Sequence, residues 1–137
     1  MSVLRKQASG RNYWHEVELM LKKRILICRG REYEDNSKFI QVMDHLLQYF
    51  DPHFCVIHGG ARGADAMAAK WAEILGRPTL SISANWNFYG KRAGSLRNQW
   101  MLDYATPDLV IAFPGGVGTA NMVRIARNNK IDVYEVK

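Results

Sequence analysis

The residues best suited to chemistry form a glycine-rich segment, Pro114-Gly115-Gly116-Val117-Gly118-Thr119. An apolar run (109–113) precedes it and a helical pattern (120–127) follows it, which predicts a strand, a glycine turn and a helix. Glycines let backbone amides approach a ligand, and the unpaired N–H groups at a helix start attract anions. We therefore expect Pro114, Gly115, Gly116, Gly118 and Thr119 to contact a phosphate or another anion. A strand-to-helix connection that binds nothing is the alternative.

A second glycine-rich segment, 58–65, reads His-Gly-Gly-Ala-Arg-Gly-Ala-Asp and follows another apolar run, 54–57. Its candidate ligand contacts are Gly59, Gly60, Arg62, Gly63 and Asp65. Asp65 is also placed to cap the following helix, and accepting a hydrogen bond from a ribose hydroxyl is its functional alternative. The segment thus offers a second set of backbone amides for an anion.

Basic and aromatic side chains occur in two further loops. One loop follows the apolar run 24–28, and the other is the long polar stretch 84–95, which leads into a helix. Guanidinium and ammonium groups suit phosphate, and aromatic rings can stack on a base. The alternatives are aromatic residues packed beneath the loop and a solvated basic tip. The candidate contacts here are Arg29, Gly30, Arg31, Trp86, Tyr89, Lys91, Arg92, Arg97 and Asn98.

The elements that position these loops follow from the hydrophobic pattern. Apolar runs predict five strands, at 24–28, 54–57, 79–82, 108–113 and 131–136. Segments of helical spacing separate them; Asp51-Pro52 is expected to end the first helix, and Ser95 to cap one that runs to about Tyr104. This alternation predicts an α/β domain with a mainly parallel sheet. Its ligands are expected beyond the carboxyl ends of the strands, where the four loops meet.

The length of 137 residues, 47% of them hydrophobic, suits one domain with a full core. Residues 1–23 are polar, basic and amphipathic, and they predict a helical arm ahead of a ligand-binding domain at 24–137; a partly disordered arm is the alternative. The formal net charge of +6 favours anionic partners such as nucleotides, nucleic acid or an acidic protein.

Several classes of protein are disfavoured by what the sequence lacks. It has two cysteines, Cys28 and Cys55, and no CxxC or Cys/His cluster, so we expect no metal site and no cofactor. It has no GxxxxGK[ST] segment and no GxGxxG after the first strand, which argues against P-loop nucleotidases and ordinary dinucleotide dehydrogenases. No apolar run is long enough for a membrane span and no signal peptide is evident, so we expect a cytoplasmic protein without a membrane partner.

Three motifs in this order resemble the YspA/YpsA-related branch of the SLOG superfamily: 58–65, then 89–101 (YGKRAGSLRNQWM), then 114–119. The resemblance covers residues 24–137 and leaves the N-terminal arm outside. It implies a single Rossmann-like, three-layer domain that binds nucleotides or nucleotide-derived ligands, such as a mononucleotide, a cyclic nucleotide or an ADP-ribose compound. Small stand-alone members of this superfamily occur in bacteria and phages.

The resemblance also bears on catalysis, because related phosphoribohydrolases carry the motif PGGxGTxxE. Here Met122 stands at the position of the glutamate, and a thioether cannot act as an acid, a base or an oxocarbenium stabiliser. We therefore expect no catalytic residue and favour a sensor, carrier or sequestering module. A nucleotide N-glycosidase is the alternative and needs another carboxylate, such as Asp65 or Glu32; direct DNA or RNA binding is a weaker one.

Relatives of this fold commonly form dimers, so the resemblance also implies a homo-oligomer. Leu96, Trp100 and Met101 recur at helical spacing and could supply an apolar contact patch. The same spacing is typical of core residues, and the sequence alone does not separate the two interpretations.

Overall fold

In this computed structural model the described residues are 21–28, 30, 32–59, 64–84 and 90–137, without the side chains of Ala64, Asp65 and Lys91. The arm predicted for residues 1–23 therefore lies almost wholly outside the described residues. Its helical character and the domain boundary at residue 24 remain predictions.

The described residues form an alternating series of strands and helices. The strands are β1 (Lys22–Cys28), β2 (Phe50–His58), β3 (Thr79–Ser81), β4 (Leu109–Ala112) and β5 (Asp132–Glu135). The α-helices are α1 (Asn36–Leu46), α2 (Ala64–Ile74), α3 (Ala93–Trp100) and α4 (Val117–Asn128). Short 3₁₀ turns span Leu47–Tyr49 and Gly90–Arg92, and a π-helical turn, Met101–Ala105, extends α3. Among these helices, none has both the length and the apolar character needed to cross a bilayer.

The five strands form one sheet in the order β3-β2-β1-β4-β5, and every neighbouring pair is parallel. The prediction of a mainly parallel five-stranded sheet is therefore confirmed. The chain moves outward from β1 to β3 and then returns to β4 on the other side of β1. Such a reversal opens a crevice beyond the carboxyl ends of the two central strands.

The two central strands are buried on both faces, which explains their continuous apolar sequences. Ile25 and Ile27 of β1 pack into the apolar layer beneath α1 and α2. Leu26, between them, packs into the layer on the opposite face, beneath α4 and the π-helical turn. Leu109–Ala112 of β4 alternates in the same way. Helices thus cover both faces, as a three-layer α/β domain requires.

Strand β2 begins earlier than the sequence predicted. Lys22 of β1 pairs with Phe50, whereas Arg24 pairs with Cys55, so the register shifts between them. Pro52 lies in the additional residues on β2, where a missing N–H group breaks no regular ladder bond. The expectation that Asp51-Pro52 separates a helix from a strand beginning at Phe54 was therefore wrong.

Helix α3 also begins earlier than predicted. Its N-cap is Arg92, and Ser95 lies inside the first turn, where its hydroxyl donates to the Arg92 carbonyl (3.2 Å). The prediction that Ser95 caps this helix was wrong, because the 3₁₀ turn before α3 already sets the helix in register. Met101 is 2% exposed and belongs to the core, so it cannot supply an interface patch. Leu96 and Trp100 are half-buried.

Candidate functional site

A cavity of about 930 Å³ lies at the carboxyl edge of the sheet, beside the crevice between β1 and β4. It is lined by residues that follow β1, β2, β3 and β4 and by the first turns of α3 and α4. The predicted site residues that line it are Gly30, Gly59, Arg97, Asn98, Pro114, Gly115, Gly116, Gly118 and Thr119. Described residues from four separate loops thus meet at one place, as expected for loops at one sheet edge.

The turn after β4 leaves the start of α4 open towards this cavity. Gly116 is the N-cap residue of α4, and no side chain among the described residues caps the helix there. The first intrahelical hydrogen bond runs from the Ala120 amide to the Gly116 carbonyl (3.0 Å). The amides of Val117, Gly118 and Thr119 precede this bond and have no partner within the helix. A helix start of this kind carries partial positive charge and suits an anion.

The described residues leave open the space beside two glycines of this turn. A Cβ atom built on Gly116 or Gly118 would meet nothing within 4 Å. Both residues are exposed, and Val117 between them is 88% exposed although it is apolar. The described protein therefore leaves room for another molecule directly against the first turn of α4.

Two other glycines of the cavity hold neighbouring loops together. The Gly30 amide donates to the Pro114 carbonyl (3.0 Å), which joins the loop after β1 to the loop after β4. A Cβ on Gly30 would lie 2.8 Å from the Gly115 Cα, and one on Gly115 would lie 2.6 Å from the Gly30 nitrogen. These glycines are thus required for close packing of the two loops, whatever else they contact.

Arg97 and Asn98 connect the loop after β2 with the start of α4. The Arg97 Nη1 donates to the Gly59 carbonyl (2.9 Å), and its Nε donates to the Asn98 Oδ1 (2.9 Å). The Asn98 Nδ2 donates to the Gly118 carbonyl and to the Asn121 Oδ1, both at 3.0 Å. A Cβ on Gly59 would lie 2.8 Å from the Arg97 Cζ, so this glycine makes room for the guanidinium.

Sequence reasoning missed several contributors to the cavity and its frame, among them Tyr33, Val117 and Asn121. Tyr33 lines the wall, with its ring centroid 5.5 Å from that of Phe113. Val117 also lines it, and Asn121 supports Asn98 from α4. Tyr33 follows the first strand at the same edge as the predicted residues, which is the signal that could have found it. No signal in the sequence distinguishes Asn121 from an ordinary exposed helix residue.

Glu32, which the sequence analysis named only as a substitute carboxylate, lines the cavity and is exposed. It is the one carboxylate among the described residues of the wall. Met122 does not line the cavity: it is 1% exposed and packs into the apolar layer between α4 and the sheet. The side chain of a glutamate at position 122 would therefore lie between α4 and the sheet, and not at the cavity.

Of the remaining predicted contacts, one lies outside the cavity wall and the others are not described by the structure in full. Arg92 is exposed at the N-cap of α3 and does not line the wall. For Asp65 and Lys91 only the backbone is described, within α2 and the 3₁₀ turn before α3. The predictions that lie outside the described residues are Arg29, Arg31, Gly60, Arg62, Gly63, Trp86 and Tyr89. In the described part of the chain, no group of three or more His, Cys, Asp or Glu residues could hold a metal ion.

Comparison with known proteins identifies relatives of this chain. The family described as "YspA, cpYpsA-related SLOG family" matches residues 23–89. "Gene 61 protein" of Mycobacterium phage D29 is 35% identical over 118 residues, which cover 81% of this chain and 94% of that protein. No solved structure matches the chain. All three quoted motifs contribute residues to the cavity wall, and the family match over residues 23–89 shows that the chain belongs to the YspA, cpYpsA-related SLOG family.

Proposed function

We propose that this protein binds a phosphate-bearing nucleotide or a nucleotide-derived ligand in the cavity, as a sensor, carrier or sequestering module. The observation that supports this most directly is the open start of α4, which shares a cavity wall with Arg97. Membership of the SLOG family supports a nucleotide-related role. A cationic guanidinium and uncapped helix amides at one wall favour an anionic group there.

The phosphate of the ligand is assigned to the first turn of α4. There it accepts hydrogen bonds from amides among Val117–Thr119, while Arg97 provides positive charge. Charge-assisted hydrogen bonds contribute about 1.5–3 kcal/mol each before ordering costs, so tight binding requires no reactive group. The sugar and base extend along the apolar parts of the wall, which include Val117 and Tyr33.

Calorimetric titration tests this proposal with a matched set of probes. AMP and ADP-ribose carry phosphate, and adenosine is their phosphate-free control. We expect saturable 1:1 binding of at least one phosphate-bearing probe, and affinity for adenosine lower by about tenfold or more, the loss expected when charged hydrogen bonds are removed. Native mass spectrometry of protein purified from its own host then identifies the ligand that co-purifies. Equal affinity for AMP and adenosine would contradict the assignment of phosphate to α4.

Glu32 supports a second candidate function, the N-glycosidic cleavage of a nucleotide. In that reaction water forms a bond to C1′ of the sugar, the bond from C1′ to the base nitrogen breaks, and a proton passes to the base. A carboxylate can stabilise the developing oxocarbenium ion, and Glu32 supplies one at the wall of the cavity. Chromatography of AMP incubated with the protein detects free adenine. We expect none, and release with turnover that Glu32→Gln abolishes would establish the enzyme instead.

Direct binding of DNA or RNA predicts a different signature. Binding governed by the net charge of +6 would weaken steeply with salt and tolerate any sequence. A pocket for one phosphate predicts saturable binding of a small ligand with a shallow salt dependence. Titrations of AMP and of a short oligonucleotide at two salt concentrations separate the two functions.

A further inference from the structure

A buried amide lies at the centre of the hydrogen bonds that frame the cavity. Asn98 is 3% exposed, and both of its side-chain atoms that can form hydrogen bonds are engaged. Its Oδ1 accepts from Arg97, and its Nδ2 donates both hydrogens, one to Gly118 and one to Asn121. The Asn98 side chain therefore touches the guanidinium on one side and the start of α4 on the other.

The orientation of this amide is determined by its partners. The Arg97 Nε–H group can only donate, and the Gly118 carbonyl can only accept. Flipping the Asn98 amide would place donor against donor and acceptor against acceptor. A partner-matched, buried amide of this kind specifies one arrangement of the elements it joins. Here those elements are α3, with its guanidinium bound to the loop after β2, and the first turn of α4.

We propose that Asn98 is the positioning residue of this site, with Asn121 as its support. The Asn98 amide holds the Arg97 guanidinium and the first turn of α4 at a fixed separation, so that one bound phosphate meets both. Gly59 completes the arrangement by accepting from Arg97 at the loop after β2. This inference rests on the proposed function, because it assigns to Asn98 the spacing between two groups that bind the same phosphate.

The substitution Asn98→Asp tests the proposal with almost no change in shape. The introduced carboxyl keeps an acceptor for Arg97 but loses both donors, so oxygen faces oxygen at Gly118 and at Asn121. We expect affinity for AMP or ADP-ribose to fall about tenfold or more, measured by calorimetry well below the unfolding temperature. Gln41→Glu is the matched control, since it makes the same amide-to-acid change on an exposed residue of α1 that does not line the cavity. Its affinity should stay within about twofold of the original protein.

Two substitutions of Asn121 separate the loss of its hydrogen bond to Asn98 from a general loss of packing. Asn121→Asp retains an oxygen that accepts from the Asn98 Nδ2, whereas Asn121→Leu has a similar volume and no acceptor. We expect Asn121→Asp to bind the phosphate probes within about threefold of the original protein and Asn121→Leu to bind about tenfold more weakly. Equal loss in both variants, or in neither, would overturn the role assigned to the Asn98–Asn121 bond.

Amide hydrogen exchange of the ligand-free protein gives a measurement independent of any probe. Asn98→Asp should accelerate exchange in peptides that cover Gly59 and the start of α4, and leave α1 unchanged. Faster exchange confined to α3 would mean that Asn98 supports only its own helix and would overturn the proposal. If exchange changes as expected while no phosphate probe binds the original protein, the proposed function fails. In that case Asn98 still joins the loop after β2 to the first turn of α4. If Asn98→Asp does not fold, the Asn121 pair supplies both measurements.

Discussion

The segment Pro114 to Met122 has two sides that differ in what surrounds them. On the closed side, Gly115 lies against Gly30 of the neighbouring loop, and Met122 lies in the apolar layer above the sheet. On the open side, a Cβ on Gly116 or Gly118 would meet no atom of the described residues within 4 Å. Glycines of one motif thus serve two purposes, since some allow two loops to pack and others leave room for a ligand.

This difference teaches that the motif is a packing unit on one side, while the binding proposed above is confined to the other. Changes on the closed side are expected to reduce stability, and they alter binding through the fold. Changes on the open side are expected to alter binding and leave the fold intact. Four substitutions examine this division, from the largest expected effect to the smallest.

Met122→Glu is expected to have the largest effect. The introduced carboxylate would be buried in an apolar layer with no cationic partner among the core residues described there, which costs about 3–5 kcal/mol. Urea denaturation measures this loss, and Met122→Leu is the control, since a swap of similar volume costs less than about 1.5 kcal/mol. We expect Met122→Glu to release no free base from AMP. A stable variant that hydrolyses AMP would mean that position 122 faces the cavity and would break the division between the sides.

Gly115→Ala is expected to destabilise the protein by about 2–3 kcal/mol, the cost of overpacking against the Thr119 side chain and the Gly30 backbone. The added methyl group would lie 2.6 Å from the Gly30 nitrogen and would push the two central loops apart. Gly118→Ala is the matched control with the same added atom. It should be neutral or stabilise the helix by about 0.5–1 kcal/mol, because it removes the conformational freedom of glycine in the unfolded chain. Equal melting temperatures for the two variants would contradict the distinction.

Part of this arrangement was predictable from the sequence. The continuous apolar sequences of β1 and β4 indicated strands buried on both faces, and the structure has them at the centre of the sheet. The carboxyl ends of parallel strands share one edge, so the convergence of Gly30, Gly59 and the 114–119 turn followed from the predicted parallel sheet. These inferences depend on local patterns that the chain carries in consecutive residues.

The rest depends on contacts between residues far apart in the chain. Gly115 and Gly118 look alike in sequence, and only the folded positions of Gly30 and of the Thr119 side chain make one of them closed and the other open. Helical spacing could not separate core from interface at Met101, because both need an apolar face. The start of β2 was missed because Pro52 signals a break, while the register shift against β1 accommodates it within the strand.

Gly118→Val examines the open side directly. Its side chain would enter space that the described residues leave open beside the first turn of α4, so the free energy of unfolding should change by less than about 0.5 kcal/mol. The two methyl groups of the introduced valine would lie where the ligand phosphate is proposed to bind. Affinity for AMP should therefore fall about tenfold, which corresponds to about 1.4 kcal/mol. Calorimetry and urea denaturation of one preparation give both values. Unchanged affinity in a folded variant would remove the phosphate from α4.

Val117→Ser is expected to have the smallest effect. It separates two contacts proposed for the open side, that of the backbone amide with phosphate and that of the apolar side chain with the nucleoside. Val117 is 88% exposed and begins α4, so its side chain contributes little to stability and the substitution should change it by less than about 0.5 kcal/mol. Its backbone amide survives, and with it the proposed contact to phosphate. Its apolar surface is lost, and shielding part of a ribose or base from water with two methyl-sized groups is worth about 0.6–1 kcal/mol. Affinity for AMP should therefore fall about three- to fivefold, while affinity for inorganic phosphate alone should stay the same. An equal loss of affinity for both probes would show that Val117 affects the phosphate contact at the helix start and does not contact the nucleoside. Tyr33 would then be the first other wall residue to test for contact with the nucleoside.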